Sequence, residues 1–114
     1  MFDITIHKEF VEDLMVSETL VYDCEIELNG KVVGYLDFED TDGDIIIGNF
    51  YIMEEYRNRG IGTEVLHQFI GEYYSVTLAP DNEDALRLYE RLGFEEVEVN
   101  APEIEQGFGV WRIN

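Results

Sequence analysis

Seven residues, Arg57 to Thr63 (RNRGIGT), place arginines at 57 and 59 and glycines at 60 and 62 in one short turn. Glycine lets a backbone approach a ligand closely, and the first turn of a helix leaves amide hydrogens unpaired and partly positive. With two guanidinium groups beside it, such a turn suits an anion, and a pyrophosphate uses its many donors better than a lone carboxylate. The plainer reading is that Gly60 and Gly62 only tighten a turn while both arginines pair with the chain's many acids. The pattern is neither a P-loop, which ends in GKS or GKT, nor a dinucleotide fingerprint with three glycines.

A second stretch with chemical content is NEDALRLYERLGF at 82 to 94. Asn82 can cap a helix whose apolar face carries Ala85, Leu88, Tyr89 and Leu92, and Gly93 can end it in a left-handed conformation. Tyr89 offers a phenol on that face, either for proton transfer or for packing. Arg87 and Arg91 are one helical turn apart and can pair with Glu83, Asp84 or Glu90, or extend a positive surface. His7 and His67 have no third histidine to complete a metal site, and the lone Cys24 excludes an intrachain disulfide framework or a thiolate zinc cluster. No metal is expected.

Both stretches need elements to hold them. Phe2, Ile4 and Ile6 alternate as a short strand, and Phe10, Val11, Leu14 and Met15 suit one short helix within 8–19. Residues 20–28 and 31–38 alternate around Asn29-Gly30, a strong hairpin signal, and a turn at 39–44 leads into IIIGNFYI at 45–52, which completes a three-stranded meander. Ile61, Val65, Leu66, Phe69 and Ile70 then fall at helical spacing over about 60–71. A strand at 73–79, the helix opened by Asn82, and strands at 94–99 and 107–113 follow, the last two joined by a loop at 100–106. This order predicts a single domain over 1–114, α/β in class, with a mixed and mostly antiparallel sheet.

The chain has 114 residues and a formal charge of −19, from seven Lys plus Arg against twenty-six Asp plus Glu. Such a charge repels phosphate backbones and anionic lipids, so neither direct nucleic-acid binding nor membrane attachment is expected. A hydrophobic fraction of 46% argues against a disordered acidic tail. No basic N-terminal segment precedes an apolar run and no stretch approaches 18 apolar residues, so the expected location is the cytoplasm.

The strand ending at Ile52, the RNRGIG turn, the helix, the next strand and NEDALRLYERLGF together resemble the GNAT N-acetyltransferase superfamily. The first block is similar to that family's acyl-coenzyme A pyrophosphate loop, and the second to its fourth-helix signature through Asn82, Ala85, Leu88, Tyr89, Gly93 and Phe94. The resemblance is tight over 45–94 and topological outside it. It implies an element order of approximately β-α-β-β-β-α-β-α-β-β, with acetyl-coenzyme A in a V-shaped cleft where the strand ending near Ile52 splays from the strand at 73–79. The pantetheine would pair with backbone at Phe50, Ile52 and Met53. The amides of Asn58, Arg59, Gly60, Ile61, Gly62 and Thr63 would cradle the pyrophosphate, with Arg57 and Arg59 offsetting its charge and Asn82 beside the pantetheine. Tyr89 would be the general acid that protonates the departing thiolate.

The resemblance also implies a general base, and here the chain departs from the family. Thr77 and the run Ile45 to Gly48 stand where relatives carry acids, and Glu54 replaces a frequent proline. Asp44 and Asn49 are the weak candidates for base or water positioning. Between its first two strands the usual family domain has two helices, which wall the acceptor site. Residues 8–19 allow about 18 Å of helix, enough for one. An open acceptor face favours a basic protein or peptide lysine or N-terminus over a small amine. The alternatives are a small-amine acetyltransferase and a noncatalytic acidic member that binds a basic surface; a homodimer is compatible with either.

Overall fold

In the computed structural model, residues 3–97 and 109–114 are described. Four strands come first: β1 (Ile4–Leu14), β2 (Thr19–Leu28), β3 (Lys31–Thr41) and β4 (Asp44–Ile52). A 3-10 turn at Glu54–Tyr56 leads to α1 (Ile61–Glu72), β5 (Ser75–Leu78), α2 (Glu83–Leu92), β6 (Glu95–Val97) and β7 (Val110–Ile113). The seven strands form one sheet in the order β1-β2-β3-β4-β5-β7-β6. Among the described residues only β4 and β5 pair in parallel. This is the expected mixed, mostly antiparallel α/β arrangement.

One expected element is replaced. The short helix within 8–19 is absent, and β1 instead continues to Leu14, turns at 15–18 and returns as β2, pairing Ile4 with Leu28 and Leu14 with Thr19. The helical spacing of Phe10, Val11, Leu14 and Met15 arises from a β-bulge between Phe10 and Glu12, which inserts one extra residue into a two-residue alternation. These side chains form no buried face: Phe10 is 55% exposed, with its ring edge-on to Tyr22, and Met15 is 82% exposed. The loop at 100–106, residues 98–99 of the expected penultimate strand and 107–108 of the last lie outside the described residues.

Elsewhere local chemistry and structure agree. Asn29 and Gly30 both take positive φ, as do Asp42 and Gly43, so two tight turns of the same hand connect β2 to β3 and β3 to β4. Ile26, Val33, Phe38 and Ile45 of the sheet are fully buried with Ile61, Val65, Leu66 and Phe69 of α1 and Val76 of β5. Residues that alternate with them, among them Glu9, Asp23, Glu25, Tyr35, Glu39 and Ile46, are exposed. The sheet from β1 to β4 therefore has a covered apolar face and an open acidic one.

The site depends on how β4 leaves β5. Asp44, Ile45 and Ile46 pair with Ser75, Val76 and Thr77, and the pairing stops there. β4 continues along β3 to Ile52 opposite Gly34, interrupted by a bulge opposite Tyr35 to Asp37. A V opens between the two parallel strands, and among the described residues the edge of β4 from Ile47 to Ile52 that faces β5 has no partner strand. Among the described residues, no helix is long and apolar enough to cross a membrane. No group of three or more His, Cys, Asp or Glu among them could hold a metal ion.

Candidate functional site

The arginine-glycine turn sits at the open end of the V. Arg57 Nε donates to the Ile52 carbonyl at 2.8 Å, folding the turn back onto the strand that leads into it. The Arg57 guanidinium lies 5.1 Å from the Tyr51 ring centre and that of Arg59 5.5 Å from the Tyr56 ring. Among the described residues neither arginine makes a salt bridge, so the pairing with acids that was the plainer reading of their sequence does not occur. Among those residues both charges are left without a carboxylate partner, in a chain with a large excess of carboxylates.

Gly60 takes φ 84 at the N-terminus of α1, a conformation that a side chain would strain, and no side chain caps the helix there. The Glu64 amide donates to the Gly60 carbonyl at 3.1 Å. The amides of Ile61, Gly62 and Thr63 precede it and have no carbonyl one helical turn back to bond. A Cβ on Gly62 would meet Phe50 and Leu88 at 3.9 Å, so this residue lines the crease between β4, α1 and α2. The turn thus brings together cations, free amides and a side-chain-free approach, the requirements of a polyanion.

Asn82 and Tyr89 lie on α2, the helix whose Leu88 faces Gly62. Asn82 Oδ1 accepts from the Ala85 amide at 2.8 Å, and Nδ2 donates to Asp81 at 3.0 Å, so the side chain caps α2. Tyr89 is 6% exposed and its ring lies 5.6 Å from that of Phe94. Burial, reinforced by the charge of Asp81, pushes the Tyr89 phenol up to about 12. The hydroxyl therefore keeps its proton throughout the neutral range.

The weak base candidates separate. Asp44 lies at the paired end of β4 and β5, where it accepts from Ser75 Oγ at 2.5 Å and stands 3.4 Å from Arg112 Nη2. It is occupied in fastening the sheet beyond the closed end of the V. Asn49 is at the β4 bulge with φ 49, and its Nδ2 donates to Asp37 Oδ2 at 2.7 Å. That contact exposes a residue missed by sequence reasoning. Asp37 pairs with Gly48 across β3 and β4, and its Oδ1 is 2.7 Å from the point a Cβ on Gly48 would occupy. Tyr35, Asp37 and Asn49 line an open concavity of about 300 Å³ on the acidic face, together with His7, Asp23 and Glu25. Alternation along β3 could assign Asp37 to that face, but only the strand register sets it against Gly48.

The family described as "Acetyltransferase (GNAT) domain" matches residues 17–96. No curated protein matches the chain by sequence. A GNAT family acetyltransferase of Elizabethkingia anophelis, solved with acetyl-coenzyme A bound, is similar at 19% identity and a TM-score of 0.66, with 97% of each chain covered. An acetyltransferase of Thermus thermophilus is similar at 20% identity and a TM-score of 0.64 over 82% of this chain, which spans 63% of that protein's length. A ribosomal-protein alanine N-acetyltransferase of Escherichia coli gives 20% identity and a TM-score of 0.62, covering 81% of this chain and 66% of its own. At these identities the likeness is one of fold.

Proposed function

The chain belongs to the GNAT acetyltransferase family, and from that premise we propose that it transfers an acetyl group from acetyl-coenzyme A to a primary amine, above all a lysine or N-terminus of a basic protein or peptide. The carrying observation is the turn at 57–63, where two arginines without carboxylate partners among the described residues flank the uncapped start of α1 at the open end of the V. Asn58 to Thr63 would hold the pyrophosphate through their amides, and the edge of β4 at Phe50 and Ile52 that faces the V would hydrogen-bond the pantetheine, whereas the Met53 amide is already bonded to the Val33 carbonyl at 2.8 Å. Acetyl-coenzyme A supplies an activated thioester. Tyr89, neutral because it is buried, would supply the proton that the leaving sulfur needs. The absence of a helix over 8–19 leaves the acceptor side open, which supports an extended acceptor over an enclosed metabolite.

The test is incubation with acetyl-coenzyme A and basic peptides, following coenzyme A release and acetylated products by mass spectrometry. Wild-type protein should acetylate peptide amines. Tyr89→Phe should slow transfer by about 10²-fold or more while binding acetyl-coenzyme A with unchanged affinity. Tight cofactor binding with no release to any acceptor would reject the enzyme and favour the noncatalytic acidic binder. Equal rates in wild type and Tyr89→Phe would remove Tyr89 from the chemistry.

A further inference from the structure

We propose that Asp37, reaching across from β3, is the general base of the transfer reaction, a role the sequence leaves without a strong candidate. This rests on the acetyltransferase reading. The V between β4 and β5 closes at Ile46, the last residue of β4 to pair with β5. Gly48 is two residues beyond, on the open acidic face, and the Asp37 carboxylate lies over it, occupying the space that a side chain on Gly48 would fill. Here a carboxylate from the neighbouring strand takes the place of one on β4 itself.

Three features prepare this carboxylate for proton transfer. Asn49 Nδ2 holds Oδ2 at 2.7 Å, which leaves Oδ1 directed along Gly48. Among the described residues no cation pairs with Asp37, so its charge is not consumed in an ion pair. The concavity of about 300 Å³ at its side is open to an incoming amine. Besides Asp37 its charged lining is Glu9, Asp23 and Glu25 with His7, which pairs with Glu27, and Lys8, whose ammonium is turned to Glu72 and Tyr73, so carboxylates are left to favour an arriving ammonium. Asp44 is tied to Ser75 and Arg112, and Asn49 has no basic atom to offer.

Asp37 Oδ1 takes one proton from the acceptor ammonium, directly or through one water. The freed nitrogen lone pair forms the C–N bond to the acetyl carbonyl carbon, and the C–S bond breaks with its electron pair on sulfur. Tyr89 gives its proton to that sulfur. The second proton lost from nitrogen restores Tyr89 by way of solvent, and the proton on Asp37 leaves to solvent, so each turnover releases one proton.

The experiment compares wild type, Asp37→Asn, Gly48→Ala and the double variant Asp37→Asn/Gly48→Glu, using acetyl-coenzyme A and a synthetic lysine-containing basic peptide from pH 7 to pH 10. Asp37→Asn should lower kcat about 10²-fold or more near neutral pH with acetyl-coenzyme A affinity unchanged. The deficit should shrink as pH rises and the peptide amine deprotonates unaided. Gly48→Ala, which displaces the carboxylate without removing it, should give a smaller loss of the same pH dependence. The double variant, carrying a carboxylate on β4, should recover part of the rate. A normal kcat in Asp37→Asn, or a deficit that stays constant with pH, would overturn the assignment. Wild type that transfers acetyl to no amine would instead defeat the acetyltransferase reading itself.

Discussion

Tyr89 and Cys24 share an environment that suppresses charge. Burial pushes the Cys24 thiol up to about 12 from 9.0, and burial with the Asp81 charge pushes the Tyr89 phenol to about 12 from 10.0. For the phenol this is the state a proton donor needs; for the thiol it means an inert core group and not a nucleophile. Both shifts carry a stability consequence of defined sign. The unfolded chain releases these protons near pH 9 and 10, whereas the folded chain holds them to about pH 12, so stability falls as pH rises through that interval. Urea unfolding at pH 8 and pH 10.5 should show a loss on the order of 1 kcal/mol or more from these groups. Tyr89→Phe with Cys24→Ala should flatten that decline whatever its effect at pH 8. An unchanged slope would mean that these groups ionise alike in folded and unfolded states.

At the scale of elements, the long β1–β2 hairpin needs something to hold β1 to the helical layer, and Lys8 supplies it. From β1 its ammonium donates to Glu72 at 2.6 Å and Tyr73 at 2.9 Å, at the end of α1, and lies 4.8 Å from the Tyr73 ring centre. Burial works against the charge, yet the hydrogen bonds to Glu72 and Tyr73 outweigh it and hold the Lys8 pKa above the ordinary lysine value. A cation there also suits the helix C-terminus. Lys8→Met keeps the apolar stem and removes the charge, and it should cost about 1–2 kcal/mol in urea unfolding. No loss would show that apolar packing alone secures the hairpin. The same hairpin marks where sequence reading fails. Asn29-Gly30, the spacing from Ile61 to Ile70 and the Asn82 and Gly93 caps are local signals, and they gave their turns and helices directly. The bulge between Phe10 and Glu12 turned strand alternation into an apparent helix, because alternation assumes an uninterrupted ladder. The anion-holding turn was legible because its donors are contiguous in the chain. Asp37 was not, because its meaning comes from a residue eleven positions away that only the β3–β4 register brings opposite it.

Over the whole molecule, the charge of −19 acts differently on the two substrates the proposal requires. Acetyl-coenzyme A is an anion and must approach against the mean field, with only a local cationic turn of Arg57 and Arg59 in its favour. A cationic peptide is drawn by the same field toward the open acidic face, where Glu9, Asp23, Glu25 and Glu39 are exposed and make no salt bridge among the described residues. Added salt shortens the reach of both effects, from a Debye length of about 30 Å at 0.01 M to about 8 Å at 0.15 M. Raising salt over that range should therefore lower kcat/KM for a basic peptide by about tenfold. For a peptide with the same lysine between acidic neighbours it should rise. The KM for acetyl-coenzyme A should stay flat or fall, since screening the general repulsion offsets screening of two arginines. Peptides of opposite charge separate this from any effect of salt on the catalytic step, which would move both in one direction. An identical salt response for the two would remove charge steering from the account of acceptor choice, while leaving the turn at 57–63 and its anion untouched.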